Sequence, residues 1–265
     1  MSDFDFRLDV DSDGVAVLTL DRPETLNSLT FAVYGQLERL FVDLRTDDRV
    51  KAVVLTGAGK GFCSGGSVDE IIGPLLERDL AGTLAFTRMT GAVVRNMLRL
   101  DKPVIAAVNG IAAGAGSVLA LASDMRVLSE QAKFAFLFTK VGLTGADMGA
   151  AWLLPKVIGT GRAMEHLMLG DKITADECLK IGLANRVVPA DQVLAEAKSL
   201  ARRLATGPGL AIGMTKKMVW QEWAMDLDAA IEQEAQAQAL LLRASDHREF
   251  FDAWNDKRQP AFKGR

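Results

Sequence analysis

The stretch KVGLTGADMGAAWLLPKVIG (140–159) holds one acid, Asp147, among glycines, alanines and apolar side chains; between Lys140 and Lys156 nothing else is charged. A carboxylate among apolar neighbours is poorly solvated, which raises its proton affinity and suits it to take up and release protons near neutral pH. Aspartate is also a favoured helix N-cap, worth about 1 kcal/mol, and a helix expected from near Met148 gives Asp147 that structural alternative. Two glycine-rich segments, GAGKGFCSGGSVDE (57–70) and NGIAAGAGSV (109–118), each follow a short apolar run. Glycine and alanine let the main chain approach a ligand, and a helix N-terminus presents unpaired N–H donors with a favourable dipole. Two such turns side by side would hold one oxygen that becomes negative during reaction. Their bland alternative is a pair of ordinary tight turns in which glycine supplies positive φ.

Other chemistries fail on required residues. A dinucleotide fingerprint needs glycine where Phe62 stands, and a phosphate-binding P-loop needs Ser or Thr where Gly61 follows Lys60. Cys63 has no motif linking it to His166 or His247, so it reads as a buried thiol rather than a nucleophile. Two histidines and no clustered acids give no metal site.

The elements that must position these groups alternate. FRLDVDSDGVAVLTL reads as a hairpin around Asp13-Gly14. Leu29, Val33, Leu37 and Phe41 share one face of a helix, and VKAVVLTG is a buried strand. A helix of about 20 residues passes through LAFTRMTGAVVRNMLRL. The strand KPVIAAVNG, a helix opening in GAGSVLALASD, and the strands DMRVLS and AKFAFLF follow. In AKFAFLF, Phe134, Phe136 and Phe138 would share one strand face. This alternation predicts an α/β fold with parallel pairing. From about Ala190 only helices are expected, with a soft boundary near Thr206 that divides the chain into 1–205 and 206–265.

The 265 residues, 49% hydrophobic and 25% charged with net charge −3, suit a globular domain with a true core. No basic stripe suggests nucleic acid. No apolar run is long enough to span a membrane. The opening MSDFDFRLDV lacks signal-peptide character, and two cysteines fit a reducing cytoplasm.

Taken in order, LNSL after DRP, GKGFCSGGSVDE, KPVIAAVNGIAAGAG, ASDMRV and GLANRVVP resemble the crotonase (enoyl-CoA hydratase/isomerase) superfamily from about Val15 to the C-terminus. The resemblance implies a spiral of ββα turns with a C-terminal helical trimerisation region. It also implies an acyl-CoA thioester substrate, no cofactor beyond the CoA that the substrate carries, and a homotrimer or dimer of trimers. Its shared chemistry is stabilisation of a thioester enolate by two backbone N–H groups, here Gly66 and Ala115; the family usually has glycine at the second. Further substrate contacts are implied for Thr25, Leu26, Ser64, Ser67, Val68, Val118 and Phe138. Lys257, Arg258 and Lys263 are implied phosphate partners, in a tail (KRQPAFKGR) that otherwise reads as solvated.

Hydratases of this family resemble one another in two glutamates that hold a water. Their positions here are Val118 and Phe138, neither able to move a proton, and Phe138 instead suggests a bulky or aromatic acyl group. Asp147, in GLTGAD, matches the aspartate of single-carboxylate isomerases once one extra residue in the loop is allowed. That implies a double-bond isomerase. A hydratase with an atypical site helped by Thr139 or Thr144, a hydrolase or dehalogenase with Asp147 as nucleophile, and a non-catalytic thioester-binding protein remain alternatives.

Overall fold

A computed structural model describes residues 5–264. The first strands, β1 (Phe6–Val10) and β2 (Val15–Leu20), form the expected antiparallel hairpin, with Leu8 opposite Leu18. The chain then runs through α1 (Phe31–Asp43), β3 (Ala52–Gly57), the short α2 (Gly73–Leu76), α3 (Leu80–Arg99), β4 (Val104–Val108), β5 (Ile111–Ala113) and α4 (Ala115–Ala122). It continues as β6 (Met125–Ser129), β7 (Lys133–Ala135), α5 (Ala150–Ile158), α6 (Thr160–Leu169), β8 (Ile173–Thr174), α7 (Ala175–Lys180) and β9 (Arg186–Val188). Four helices close it: α8 (Val193–Ala205), α9 (Gly209–Glu222), α10 (Leu227–Leu241) and α11 (Ser245–Asn255).

Six strands make one sheet in the order β1-β2-β3-β4-β6-β9, parallel from β2 onward. A small second sheet has the order β5-β7-β8. Because strand side chains alternate, the runs of β3 and β4 divide between two cores. Val53, Leu55, Val104, Ala106 and Val108 face the main core shared with α1, α3 and α4. Ala52, Val54, Ile105 and Ala107 face Val193, Ala197, Leu200 and Ala201 of α8. Beyond α8, α9 is fixed by Lys216, whose ammonium pairs with Asp124 at 2.8 Å and donates to the Met97 and Lys102 carbonyls.

The AKFAFLF strand is shorter than its composition suggests. β7 stops at Ala135 and the chain enters a 3-10 turn over Leu137–Val141, so Phe134, Phe136 and Phe138 do not share a strand face. The cause lies in β7's neighbours. β5 ends at Ala113, where Gly114 turns at φ +50, and β8 is two residues long, so no partner remains beyond Ala135.

Candidate active site

The two glycine turns are tied into one structure. The Phe62 and Cys63 N–H groups both donate to the Ile111 carbonyl at 3.0 Å, and Ala113 N–H donates to the Cys63 carbonyl at 2.9 Å. From the other side, Ser64 N–H donates to the Leu26 carbonyl and Leu29 N–H to the Gly65 carbonyl. Glycine is required at the crossing points. A methyl on Gly116 would lie 2.3 Å from the Cys63 oxygen, and one on Gly65, already at φ +101, would lie 3.0 Å from the Ala113 oxygen. The same methyl would be 3.5 Å from the Ala115 nitrogen. Two N–H groups emerge here without a partner among the described residues, those of Gly66 and Ala115. Ala115 opens α4, so its N–H is one of the donors that a helix start leaves free, at the positive end of the dipole.

The far end of α4 carries the complementary charge. The buried Arg126 guanidinium donates to the carbonyls of Leu121 (3.2 Å) and Ser123 (2.5 Å), and to Leu183 (2.6 Å). Burial lowers its pKa to about 10, with Asp124 opposing, so it remains a cation at neutral pH. A cation at a helix C-terminus stabilises the helix.

Asp147 sits in the loop ahead of α5. Gly145 anchors that loop, because a methyl there would lie 2.3 Å from the Leu167 carbonyl oxygen of α6. Met148 (φ +49) and Gly149 (φ +91) both take left-handed conformations, and for a methionine this is strain of the kind that collects at functional sites. The structural alternative, a helix cap, does not hold here. α5 begins at Ala150 with Gly149 as its N-cap, and the Asp147 carboxylate accepts only the Met148 N–H, at 2.9 Å. Two successive left-handed residues separate the carboxylate from the helix, which turns it away from the helix N–H groups. Its second oxygen has no partner among the described residues. Burial pushes the carboxyl above the usual aspartate range, the Met148 N–H pulls it partly back, and no cation contributes.

Around these groups, Val118 is sealed in the core and Phe138, 8% exposed, lies in the 3-10 turn after β7. The Thr139 hydroxyl is buried without a hydrogen-bond partner, whereas Thr144 accepts the Ala146 N–H. Cys63 is buried and desolvation pushes its thiol up to about 12, which removes it as a nucleophile. Among the described residues no group of three or more His, Cys, Asp or Glu could hold a metal ion.

Thr25 and Leu26 lie exposed in the turn that docks on the first glycine segment, and Ser64 Oγ donates to the Thr25 carbonyl at 2.9 Å. Ser67 Oγ accepts the Glu70 N–H as a cap, while Val68 is strongly exposed. The tail is not freely solvated. The Lys263 and Gly264 N–H groups both donate to the buried Asp246 carboxylate at 2.7 Å, and Glu249 holds Arg258 through a 2.5 Å contact. Arg258 therefore has a carboxylate partner already, whereas Lys257 is exposed at φ +53.

One residue of this region escaped the sequence reading. Tyr34, on the buried stripe of α1, is 3% exposed, and the ionisable groups that bear on its hydroxyl are Cys63 and Asp147. Its spacing matched core packing; the only available signal was a hydroxyl on an otherwise apolar face.

Comparison with known proteins agrees with this architecture. The family model described as enoyl-CoA hydratase/isomerase matches residues 11–265. The chain is 38% identical over 253 residues to the 1,2-epoxyphenylacetyl-CoA isomerase of Escherichia coli K12, covering 95% of this chain and 96% of that one. It is 34% identical to the (E)-benzylidenesuccinyl-CoA hydratase of Thauera aromatica, over 96% of this chain and 97% of the relative. A crystal structure of an enoyl-CoA hydratase from Bacillus anthracis superposes with a TM-score of 0.92 at 29% identity, covering 98% of this chain and all of the other. One from Streptomyces coelicolor A3(2), provisionally named as an enoyl-CoA hydratase, reaches 0.96 at 51% identity, over 98% of this chain and 94% of the other. A crotonase fold carrying paired glycine turns, matched by the family model over nearly its whole length, makes this chain a member of the enoyl-CoA hydratase/isomerase family of acyl-CoA enzymes.

Proposed function

We propose that the protein is an acyl-CoA double-bond isomerase in which Asp147 carries the proton. The observations behind this reading are a single carboxylate of raised proton affinity with one oxygen unpartnered, and two unpaired N–H groups on adjoining glycine turns. Both positions of the hydratase glutamate pair are apolar, Val118 and Phe138. The thioester oxygen sits between Gly66 N–H and Ala115 N–H. Asp147 takes a proton from the acyl chain, the electron pair moves into the enolate, and the same carboxyl returns the proton two carbons away. The double bond shifts and nothing is gained or lost. Each N–H donor contributes roughly 3 kcal/mol to the transition state. Proton transfer of this kind calls for no cofactor beyond the CoA of the substrate. The isomerase named among the relatives supports this reading.

Hydration is the second reading, favoured by the hydratase names among the relatives and by the orphan Thr139 hydroxyl, which could hold a water. A panel of 2-enoyl-, 3-enoyl- and aromatic-ring CoA thioesters separates the two. Unchanged mass with shifted absorbance supports isomerisation, and a gain of one water supports hydration. Binding without change to any thioester contradicts both.

A further inference from the structure

The last two helices bury very little. Among the described residues α10 buries only Ala237, and α11 only Ala253 and Asp246, whereas α8 buries five. Helices in proteins are held chiefly by packing an apolar face, so α10 and α11 need another attachment within the chain.

The segment after α11 supplies one. Lys257, at φ +53, is the left-handed residue that ends the helix; its N–H donates to the Trp254 carbonyl and the Arg258 N–H to that of Ala253. The chain then runs back along α11. Glu249 accepts the Ala261 N–H at 2.7 Å and takes the Arg258 guanidinium on both oxygens, at 2.5 and 3.1 Å. One turn nearer the helix start, Asp246 accepts Lys263 N–H on Oδ1 and Gly264 N–H on Oδ2, both at 2.7 Å. The segment ends against α9, where a methyl on Gly209 would stand 3.6 Å from the Gly264 Cα. Between these ties Phe262 lines a cavity of 340 Å³. Its other walls include Pro208 and Leu210 at the start of α9, Leu241 and Leu242 at the end of α10, and Phe250 of α11.

One short segment therefore touches all three helices. Its ties to Asp246 and Glu249 are charge-assisted, which makes them stronger than bonds between neutral groups. Asp246 is buried, so losing its two donors would leave a desolvated carboxylate unpaired. Partial release is thereby disfavoured.

We propose that residues 257–264 form a strap, anchored on Asp246, that locks α10 and α11 onto α9. When it is released, α10 and α11 open as one unit while the α/β core stays folded. α9 stays in place, because Lys216 pins it separately to Asp124 and to the Met97 and Lys102 carbonyls.

Amide hydrogen exchange, read by peptide mass, tests this on the full chain, on Asp246→Asn and on a chain ending at Gln259. Truncation should speed exchange throughout α10 and α11 by about 10²-fold or more. Asp246→Asn, which keeps one acceptor and the side-chain shape, should speed it by about tenfold and serves where the truncated chain fails to fold. The strands β2, β3 and β4 and the helix α9 should keep their native rates in both. Faster exchange confined to the tail itself overturns the proposal. Native protection of α10 and α11 after truncation does the same, since something else, a second copy included, then holds them. Acceleration spread evenly over the sheet also overturns it, as general loss of stability.

Discussion

Gly65 and Ala115 lie so close that a methyl group on the first would stand 3.5 Å from the amide nitrogen of the second. Separated by 50 positions in sequence, they bring the Gly66 and Ala115 N–H groups to one place. Gly65→Ala should therefore lower kcat by about 10²–10³, the usual worth of an oxyanion donor. Gly142→Ala is the control, because φ is +78 there and a methyl would meet nothing within 4 Å. Both variants pay for a left-handed alanine, of the order of 1–3 kcal/mol. Only Gly65→Ala should also lose turnover; equal losses from the two would point to backbone strain alone.

Asp147 predicts opposite pH trends for rate and stability. The base acts when ionised, so kcat/KM should rise with pH through an inflection above the ordinary aspartate value of about 3.9. For stability the sign is reversed. A carboxyl whose folded pKa is raised favours the folded state while protonated, and that contribution is lost as pH climbs from the ordinary value through the raised one. Asp147→Asn should therefore gain stability relative to the native chain across that window and show no gain below it. Melting curves of the two proteins from pH 3 to 8 check this; a gain that grows toward low pH contradicts it.

Much of this was readable from residue order. The alternation of β-branched runs with helical spacing gave the α/β fold, and the two glycine clusters marked the turns. Asp147 stood out as a lone charge. The features that were missed depend on distant partners. β7 ends early because β5 and β8 are short, which no periodicity within AKFAFLF records. Asp147 leaves α5 uncapped because Met148 and Gly149 turn left-handed, a conformation that methionine does not announce. The tail reads as solvated by composition, yet Asp246, 17 residues before Lys263, binds it.

Cys63 should behave as an inert core thiol despite its place beside the oxyanion turn. Burial and a pKa pushed to about 12 leave it neither accessible nor ionised. Iodoacetamide at pH 8 should leave Cys63 unmodified in the folded protein and label it after denaturation, as read by peptide mass. Rapid labelling of the folded protein with loss of activity would restore the nucleophile reading.

The C-terminal helices present apolar side chains that one chain does not cover. Leu227, Ile231 and Leu240 of α10 are all more than half exposed, as is Leu242 just beyond it. Patches of this sort mark contact surfaces. Light scattering at micromolar concentration should give the mass of a trimer or of two trimers, and Ile231→Glu should shift it downward. A monodisperse monomer would refute the assembly.

The central claim is that Asp147 moves the proton. Asp147→Asn preserves shape and an acceptor for the Met148 N–H but removes the base. The direct measurement is deuterium exchange at the α-carbon of a bound 3-enoyl-CoA thioester, which reports enolate formation without requiring turnover. The account predicts that Asp147→Asn slows exchange by about 10²–10⁴ while thioester affinity changes little. Exchange at the native rate in the folded, thioester-bound variant would contradict it.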